Sequence, residues 1–160
     1  MAYLSNIPIG SVAYASVGTN TTDAIQLWMT DIFVPANQTI STIGVLQGGT
    51  AGTDKILVTI YDLGGNLIAN SATAGVSLSG ANTFLELVLL TPTLLKGPSY
   101  YFIGVQGNGT AAGAIQTIPA STFVGVRANS VTAGSFGTLP SPISVPTSFV
   151  ATKGPIVYMY

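Results

Sequence analysis

The sequence contains no cysteine and no histidine. These two residue types supply many of the nucleophiles, general bases and zinc ligands of proteins. Their absence excludes a cysteine nucleophile, a histidine-based catalytic triad, a disulfide framework and an ordinary structural zinc site. We therefore expect no catalytic residue of these kinds, no bound cofactor and no metal site.

Charged side chains are also scarce. The 160 residues include only four Lys or Arg and five Asp or Glu, which gives a formal net charge of −1. Proteins that bind nucleic acid carry a basic surface that neutralises phosphate groups. Nucleic acid is therefore not an expected partner.

The few carboxylates offer one conventional catalytic chemistry, that of a two-carboxylate glycosidase. The candidates are Asp31, Asp54, Asp62 and Glu86. Asp62 falls in a predicted hairpin turn, Asp54 precedes a strand and Glu86 falls on an outer sheet face, so these acids are expected to be solvated rather than catalytic. Asp23, with Asp31 and Asp62, offers oxygens for calcium, but no segment has the spacing of an EF-hand loop. The sequence therefore predicts a non-enzymatic protein.

Long apolar runs are missing, although the mean hydropathy is +0.57. A membrane-spanning helix needs about 20 predominantly apolar residues, and here Gly, Pro, Asn, Ser or Thr interrupts every charge-free stretch. Residues 7–22 lack the basic start and continuous apolar core of a signal peptide. We expect a protein made in the cytoplasm of the producing cell, with no membrane as partner.

Turn residues alternate with runs of β-branched and aromatic residues at a spacing of roughly 8–12, which is typical of an all-β fold. We predict a jelly-roll-like, two-sheet antiparallel β-sandwich. Residues 24–160 would form this single domain, and residues 1–23 an N-terminal arm or first strand. The predicted strands are Ala24–Val34, Gln38–Gly48, Lys55–Tyr61, Leu67–Ser71, Thr83–Leu90, Tyr100–Gln106, Ala114–Thr117, Thr122–Val126 and Ile156–Tyr160.

Lys55–Tyr61 has the clearest strand pattern. Ile56, Val58 and Ile60 share one face, which we predict to be the core face. Thr59 lies on the other face, where a charged substitution should be milder if that face meets water. The strand leads into residues 62–66, whose paired glycines favour a tight hairpin.

Two predicted strands, Phe84–Leu90 and Tyr100–Val105, are apolar on both faces. An antiparallel sheet normally alternates apolar and polar residues because one face meets water. The outer faces therefore need a cover, which either a loop or short helix of the chain or a neighbouring subunit would supply. Residues 130–146 are rich in Gly, Ser and Pro and form a long loop that is functional or packs on a neighbour.

Several motifs follow one another in a recognisable order along the chain. The motifs are Trp28–Pro35, Thr39–Val45, Asp54–Tyr61 with Asp62, Gly65 and Asn66, Leu94–Phe102, Gly137–Pro140 and Pro155–Tyr158. Their order resembles a family of phage virion jelly-roll proteins that serve as capsid decoration or head-fibre subunits, or as modules of tail-associated proteins. This resemblance implies a virion structural protein, most simply a capsid decoration subunit on the virion surface. It also implies a homo-oligomer, with a trimer favoured, bound to the major capsid protein or another virion protein.

The aromatic residues at strand spacing are expected to pack in the core or at a subunit interface, because a surface so poor in charge adheres through apolar area. The basic residue that often closes the last strand of this family is replaced by Tyr158-Met159-Tyr160, which favours apolar contacts at the C-terminus. An alternative function is a carbohydrate- or receptor-binding module of a phage fibre or tail, in which exposed aromatic rings stack on sugars. The candidate interface residues are Trp28, Phe84, Tyr100, Phe102, Tyr158 and Tyr160.

Overall fold

The computed structural model describes residues 3–7, 18–21, 24–80, 82–109, 113–119 and 126–160. These residues form twelve β-strands and no helix, which confirms the all-β prediction. None of them belongs to a helix of the length and apolarity that a membrane span requires. The strands are β1 (Leu4–Ser5), β2 (Gly18–Thr21), β3 (Gln26–Val34), β4 (Gln38–Leu46), β5 (Lys55–Tyr61), β6 (Leu67–Asn70), β7 (Val76–Ser77), β8 (Phe84–Leu95), β9 (Ser99–Gly107), β10 (Ala114–Thr117), β11 (Ala128–Thr132) and β12 (Val157–Met159).

Two antiparallel sheets pack face to face, as predicted for a β-sandwich. One has four strands in the order β1-β12-β4-β8, and the other has six, in the order β11-β3-β9-β5-β6 with β7 beside β5. β2 and β10 form a separate pair. The inward side chains of both sheets meet in one apolar core, which includes Ile43 and Leu87 from the first sheet and Val58 and Ile103 from the second.

Two pairs of consecutive strands connect the two sheets. β3 pairs with β9 in the six-stranded sheet, while β4 pairs with β8 in the four-stranded sheet. The chain therefore passes from one sheet to the other at β3–β4 and back at β8–β9. This arrangement allows each long, alternating strand to turn one side chain in two toward the shared core.

Both chain ends described by the structure contribute to the four-stranded sheet. β12 is an inner strand, with Met159 opposite Leu4 on one side and Ile43 on the other. Within residues 1–23, the described parts are 3–7 and 18–21, which contain β1 and β2. The predicted strand Thr122–Val126 falls outside the described residues, except for Val126, which is not in a strand.

The prediction that only one face of β5 is buried is wrong. Ile56, Val58 and Ile60 do lie in the core between the sheets, but Thr59 on the opposite face is also fully buried. Thr59 Oγ1 donates a hydrogen bond of 3.4 Å to the backbone oxygen of Gly104 on β9. The outer face of the six-stranded sheet therefore has a cover of its own.

That cover is residues 133–146, which we call the strap. Ile143 and Val145 of the strap pack on a second apolar cluster that includes Phe102. Gln106 on β9 fixes one end of the strap, because its Nε2 lies 3.2 Å from the backbone oxygen of Gly134 and its Oε1 accepts a 3.1 Å hydrogen bond from the Gly137 N–H.

The other end of the strap is tied to β5 and to the hairpin that follows it. Tyr61 Oη donates a 3.0 Å hydrogen bond to the Pro140 oxygen, and the Ile143 N–H donates one of 2.9 Å to the oxygen of Gly65. Residues 130–146 thus pack on their own sheet, since 130–132 lie in β11 and the remainder forms the strap. The sequence left open whether the chain itself or a neighbouring subunit covers the apolar outer faces. For the six-stranded sheet, the cover is a loop of the same chain.

Candidate binding surface

Among the described residues, nothing like the strap crosses the outer face of the four-stranded sheet, although a third apolar cluster of Ile7, Leu46, Ile118 and Ile156 buries the part of it beside Phe84. Four apolar side chains on or beside it are more than half exposed: Tyr3 at 58%, Val88 at 68%, Leu90 at 66% and Leu94 at 55%. Two features make up this face, an aromatic cluster over β12 and a row of aliphatic side chains on β8.

The aromatic cluster consists of Tyr3, Phe84, Tyr158 and Tyr160. The Tyr158 ring is central, with its centroid 4.7 Å from that of Phe84 and 5.4 Å from that of Tyr3, both in edge-to-face arrangements. Tyr160 stacks on Tyr158 at 6.1 Å and meets Tyr3 edge-on at 5.2 Å. Such pairs stabilise beyond the burial of their area, so the cluster forms a firm apolar platform.

Gly44 and Glu86 hold the central ring in place. The three residues are aligned across the sheet, with Tyr158 opposite Gly44 on β4 and Gly44 opposite Glu86 on β8. Because Gly44 has no side chain, the ring lies over its backbone, and Tyr158 Oη reaches Glu86 Oε1 in a 2.7 Å hydrogen bond. Burial, and then this hydrogen bond to the carboxylate, raise the pKa of the Tyr158 phenol.

Replacing Gly44 by alanine should disturb the platform. A Cβ at this position would overlap Cε1 and Cζ of the Tyr158 ring, which the neighbouring rings hold in place. We expect the free energy of unfolding to fall by about 1–3 kcal/mol, as for other overpacked sites. Urea denaturation would measure the change. Gly52→Ala is the matched control, because a Cβ there meets nothing closer than 3.4 Å; equal losses at both positions would contradict this role of Gly44.

The buried phenol groups of Tyr61 and Tyr158 should make the protein less stable at alkaline pH. Burial raises the pKa of Tyr61 to about 12, and the pKa of Tyr158 is also raised. The folded state therefore binds these protons more tightly than the unfolded state, so the contribution of the two phenols to stability is constant below about pH 10 and falls above it. Urea denaturation at about pH 9 and about pH 11.5 should show a loss of roughly 1–3 kcal/mol from Tyr61 alone. An unchanged pH dependence in Tyr61→Phe would contradict this assignment.

The aliphatic row on β8 arises from alternation along the two regular parts of the strand. Leu85, Leu87 and Leu89 point into the core side, whereas Val88 and Leu90 point outward. Pairing with β4 is irregular beyond Val88 and resumes at Thr93, after which Leu94 again points outward. We call Val88, Leu90 and Leu94 the β8 stripe. Glu86 lies at one end of it and Lys96 at the other, both exposed.

Three of the six candidate interface residues come together in the aromatic cluster: Phe84, Tyr158 and Tyr160. Tyr100 lies instead on the six-stranded sheet, 41% exposed beside Phe33, with their ring centroids 5.0 Å apart. The structure thus separates the candidates onto two opposite faces.

The remaining two candidates are buried within the chain. Phe102 is completely buried beneath the strap, and Trp28 is 4% exposed and belongs to the core between the sheets. Lys153 Nζ lies 4.8 Å from the Trp28 ring centroid, so even the ring's outer side has a neighbour. Neither ring offers a surface to a partner in this conformation. The sequence prediction missed this because alternation shows which residues share a face but not which face is covered.

The predicted interface omitted Tyr3 and the three residues of the β8 stripe, which are exposed on this side of the sandwich. The apolar character of both faces of Phe84–Leu90 was the signal for the stripe. Tyr3 carries no such signal, because only the pairing of β1 with β12 brings it to Tyr158.

Among the described residues, Asp31, Asp54 and Asp62 have well-defined structural partners, and Asp31 and Asp54 are buried rather than solvated as expected. Asp31 Oδ2 pairs with Arg127 Nε at 2.8 Å, and Asp54 Oδ2 accepts the Gly113 N–H at 3.1 Å. Asp62 Oδ1 accepts the backbone N–H groups of Gly64 and Asn66 and so shapes the hairpin turn. These bonds to Asn66 and the turn hold the pKa of Asp62 below its usual value.

Comparison with known proteins finds no family model that matches the chain and no match among curated proteins. Within the described part of the chain, no group of three or more acidic, His or Cys side chains is placed to hold a metal ion. The exposed outer face of the four-stranded sheet is therefore the candidate functional site.

Proposed function

We propose that this protein is a non-enzymatic virion structural protein, a capsid decoration subunit that adheres through the aromatic cluster. The motif order that resembles phage virion jelly-roll proteins supports this proposal, and the sandwich fold is compatible with it. The candidate partner is the major capsid protein or another virion protein.

The difference in cover between the two sheets is the observation that carries the proposal. The strap buries apolar residues on the outer face of the six-stranded sheet, while Tyr3 and the β8 stripe remain exposed on the other sheet. Contiguous exposed apolar surface usually marks an interaction site on a soluble protein. Tyrosine and phenylalanine are enriched at such sites, which makes the aromatic cluster the natural contact for a virion partner.

Adhesion would come from buried apolar area. At about 25 cal/mol per Å², a contact of roughly 800 Å² contributes about 20 kcal/mol before the costs of association are subtracted. Few charges have to be desolvated, since the chain carries only nine. Binding of this kind should persist at high salt, because salt screens ion pairs but not apolar burial.

A pelleting assay tests the proposal. Particles of the virus that encodes the chain, produced without this gene, are incubated with purified protein and sedimented at about 0.15 M and about 1 M salt. The protein should pellet with the particles in both, and Tyr3→Asp should weaken binding. Leu63→Asp is the control, because Leu63 is a similarly exposed apolar residue at 49% in the hairpin turn. Failure of the wild type to pellet would contradict the proposal.

A second candidate function, glycan binding, is favoured by one observation. The exposed Tyr3 ring lies next to Tyr158, whose hydroxyl is bonded to Glu86, so an apolar ring face and a carboxylate acceptor stand close together. Sugars are commonly held by this combination of stacking and hydrogen bonding. Binding to a glycan array or to bacterial cells, without affinity for particles, would favour this function over capsid decoration.

A further inference from the structure

We propose that a second copy of this chain packs on the β8 stripe through a twofold contact in which the two β8 strands run antiparallel, face to face. The proposal deepens the proposed function and rests on it only for the premise that the open face associates. It assigns the stripe to self-association and leaves the aromatic cluster for the virion partner.

The first argument is the order of side chains along β8. The even-numbered residues Glu86, Val88, Leu90, Leu94 and Lys96 are all exposed, whereas Leu87, Leu89 and Leu95 between them are buried. The exposed positions therefore form one row with an acid at one end, aliphatic side chains in the middle and a base at the other end.

The second argument is that this row is complementary to itself. Glu86 and Lys96 stand at equal sequence distances from Thr91 on either side, and so do Val88 and Leu94. A twofold axis near Thr91 brings Val88 against the partner subunit's Leu94. The same axis brings Glu86 against the partner subunit's Lys96, twice per dimer. An isologous contact requires this kind of self-complementary patch. If the two β8 strands ran parallel, like charges would face each other at both ends of the stripe, which disfavours that arrangement.

The third argument excludes extension of the sheet through the edge of β8. Leu89 already forms a bridge with Ser71, and Pro92 has no N–H to donate. These features block a continuous ladder of hydrogen bonds with a new strand. They leave the outward side chains accessible, so the contact uses the face of β8 rather than its edge.

Glu86 is held in a fixed position for this role. Its Oε1 accepts the Tyr158 hydroxyl at 2.7 Å. A carboxylate has about four acceptor positions, so it can receive a lysine ammonium group in addition to the phenol.

Zero-length cross-linking tests the contact directly. A carbodiimide joins a carboxylate to an amine only when they touch, and within one chain Glu86 and Lys96 are too far apart, because Glu86 and Leu95 pair with Gly44 and Gln38 of β4, which lie roughly 20 Å apart along that strand. Unlabelled and ¹⁵N-labelled protein are mixed, allowed to exchange, cross-linked and digested. We expect Glu86–Lys96 cross-linked peptides that contain one light and one heavy chain. Their absence in a sample that sediments as an oligomer would overturn the proposal.

Charge-exchange variants provide a second test that does not depend on the apolar residues. Lys96→Glu alone and Glu86→Lys alone each place like charges together in a homodimer. A mixture of the two variants places opposite charges together at both ends. We expect each variant to dimerise several-fold more weakly than the wild type, and the mixture to form the heterodimer. Equal dimerisation of the single variants and the mixture would overturn the twofold register.

Leu90→Asp tests the centre of the stripe. Because Leu90 is 66% exposed, the variant should fold, as circular dichroism would show, and should lose dimerisation at least tenfold. Leu63→Asp, at the distant hairpin turn, should dimerise as the wild type does. The particle-pelleting assay reports on the aromatic cluster and the cross-link on the stripe, so failure of one proposal is distinguishable from failure of the other.

Discussion

Thr59→Asp should lower the free energy of unfolding by several kcal/mol, about as much as Val58→Asp. Both positions are completely buried, Val58 in the core between the sheets and Thr59 beneath the strap side of the six-stranded sheet. A buried carboxylate without a partner is among the most destabilising substitutions known in proteins. Urea denaturation at neutral pH would measure both losses.

Two controls repeat the same substitutions at exposed positions. Val76→Asp changes valine to aspartate on β7, where the side chain is 39% exposed. Thr39→Asp changes threonine to aspartate at an exposed position of β4. Both should change stability by less than about 1 kcal/mol. A mild effect of Thr59→Asp, similar to that of Thr39→Asp, would contradict the finding that the strap closes the outer face.

Gln106→Leu should release the strap. The Gln106 amide is buried and contacts the backbone oxygens of Ala24, Gly134 and Ser135, while its oxygen accepts the Gly137 N–H. Leucine preserves the volume but leaves these groups without their partner, at a cost of about 2–4 kcal/mol. Hydrogen exchange followed by mass spectrometry should show faster exchange across residues 133–146.

Gln26→Leu is the matched control, because Gln26 is half-buried at the start of the neighbouring strand β3. It should leave exchange in the strap unchanged. Slow exchange across residues 133–146 in Gln106→Leu would show that apolar packing around Phe102 holds the strap without Gln106.

The positions of the main strands could be predicted from the sequence. Lys55–Tyr61 and Ala114–Thr117 have the predicted bounds, and most other predicted strands overlap the observed ones. Alternation and turn residues are local signals, so a single sequence carries them. The two-sheet arrangement also follows, since half-buried strands have to bury their apolar faces against each other.

The identity of the covered face could not be predicted. Phe102 and Val88 both lie on apolar outer faces of strands, yet Phe102 is buried and Val88 is 68% exposed. The difference depends on where the strap packs, which Gln106 and Tyr61 determine through contacts with residues about 30 to 80 positions away. The alternation of residues along a strand carries no information about such distant contacts. For that reason the predicted interface included Trp28 and Phe102 and omitted Tyr3 and Leu90.

The sequence left two possible covers for the apolar outer faces, a loop of the chain or a neighbouring subunit, and we assign them to different sheets. A loop of the chain covers the six-stranded sheet, whereas we propose that other subunits cover the four-stranded one. Removal of Tyr158 to Tyr160 does not test this idea cleanly, because β12 is an inner strand between β1 and β4. Point substitutions at Tyr3 and Leu90 preserve that strand and are the better probes.

Sedimentation velocity of the purified protein at about 0.15 M and about 1 M salt tests most directly whether the open face drives association through apolar burial. We predict an oligomer of the same size in both solutions. The nine charged side chains are too few to support an ionic assembly, and salt leaves apolar contacts intact. A stable monomer at high concentration in both solutions would contradict the account and would favour a monomeric module displayed on a larger fibre.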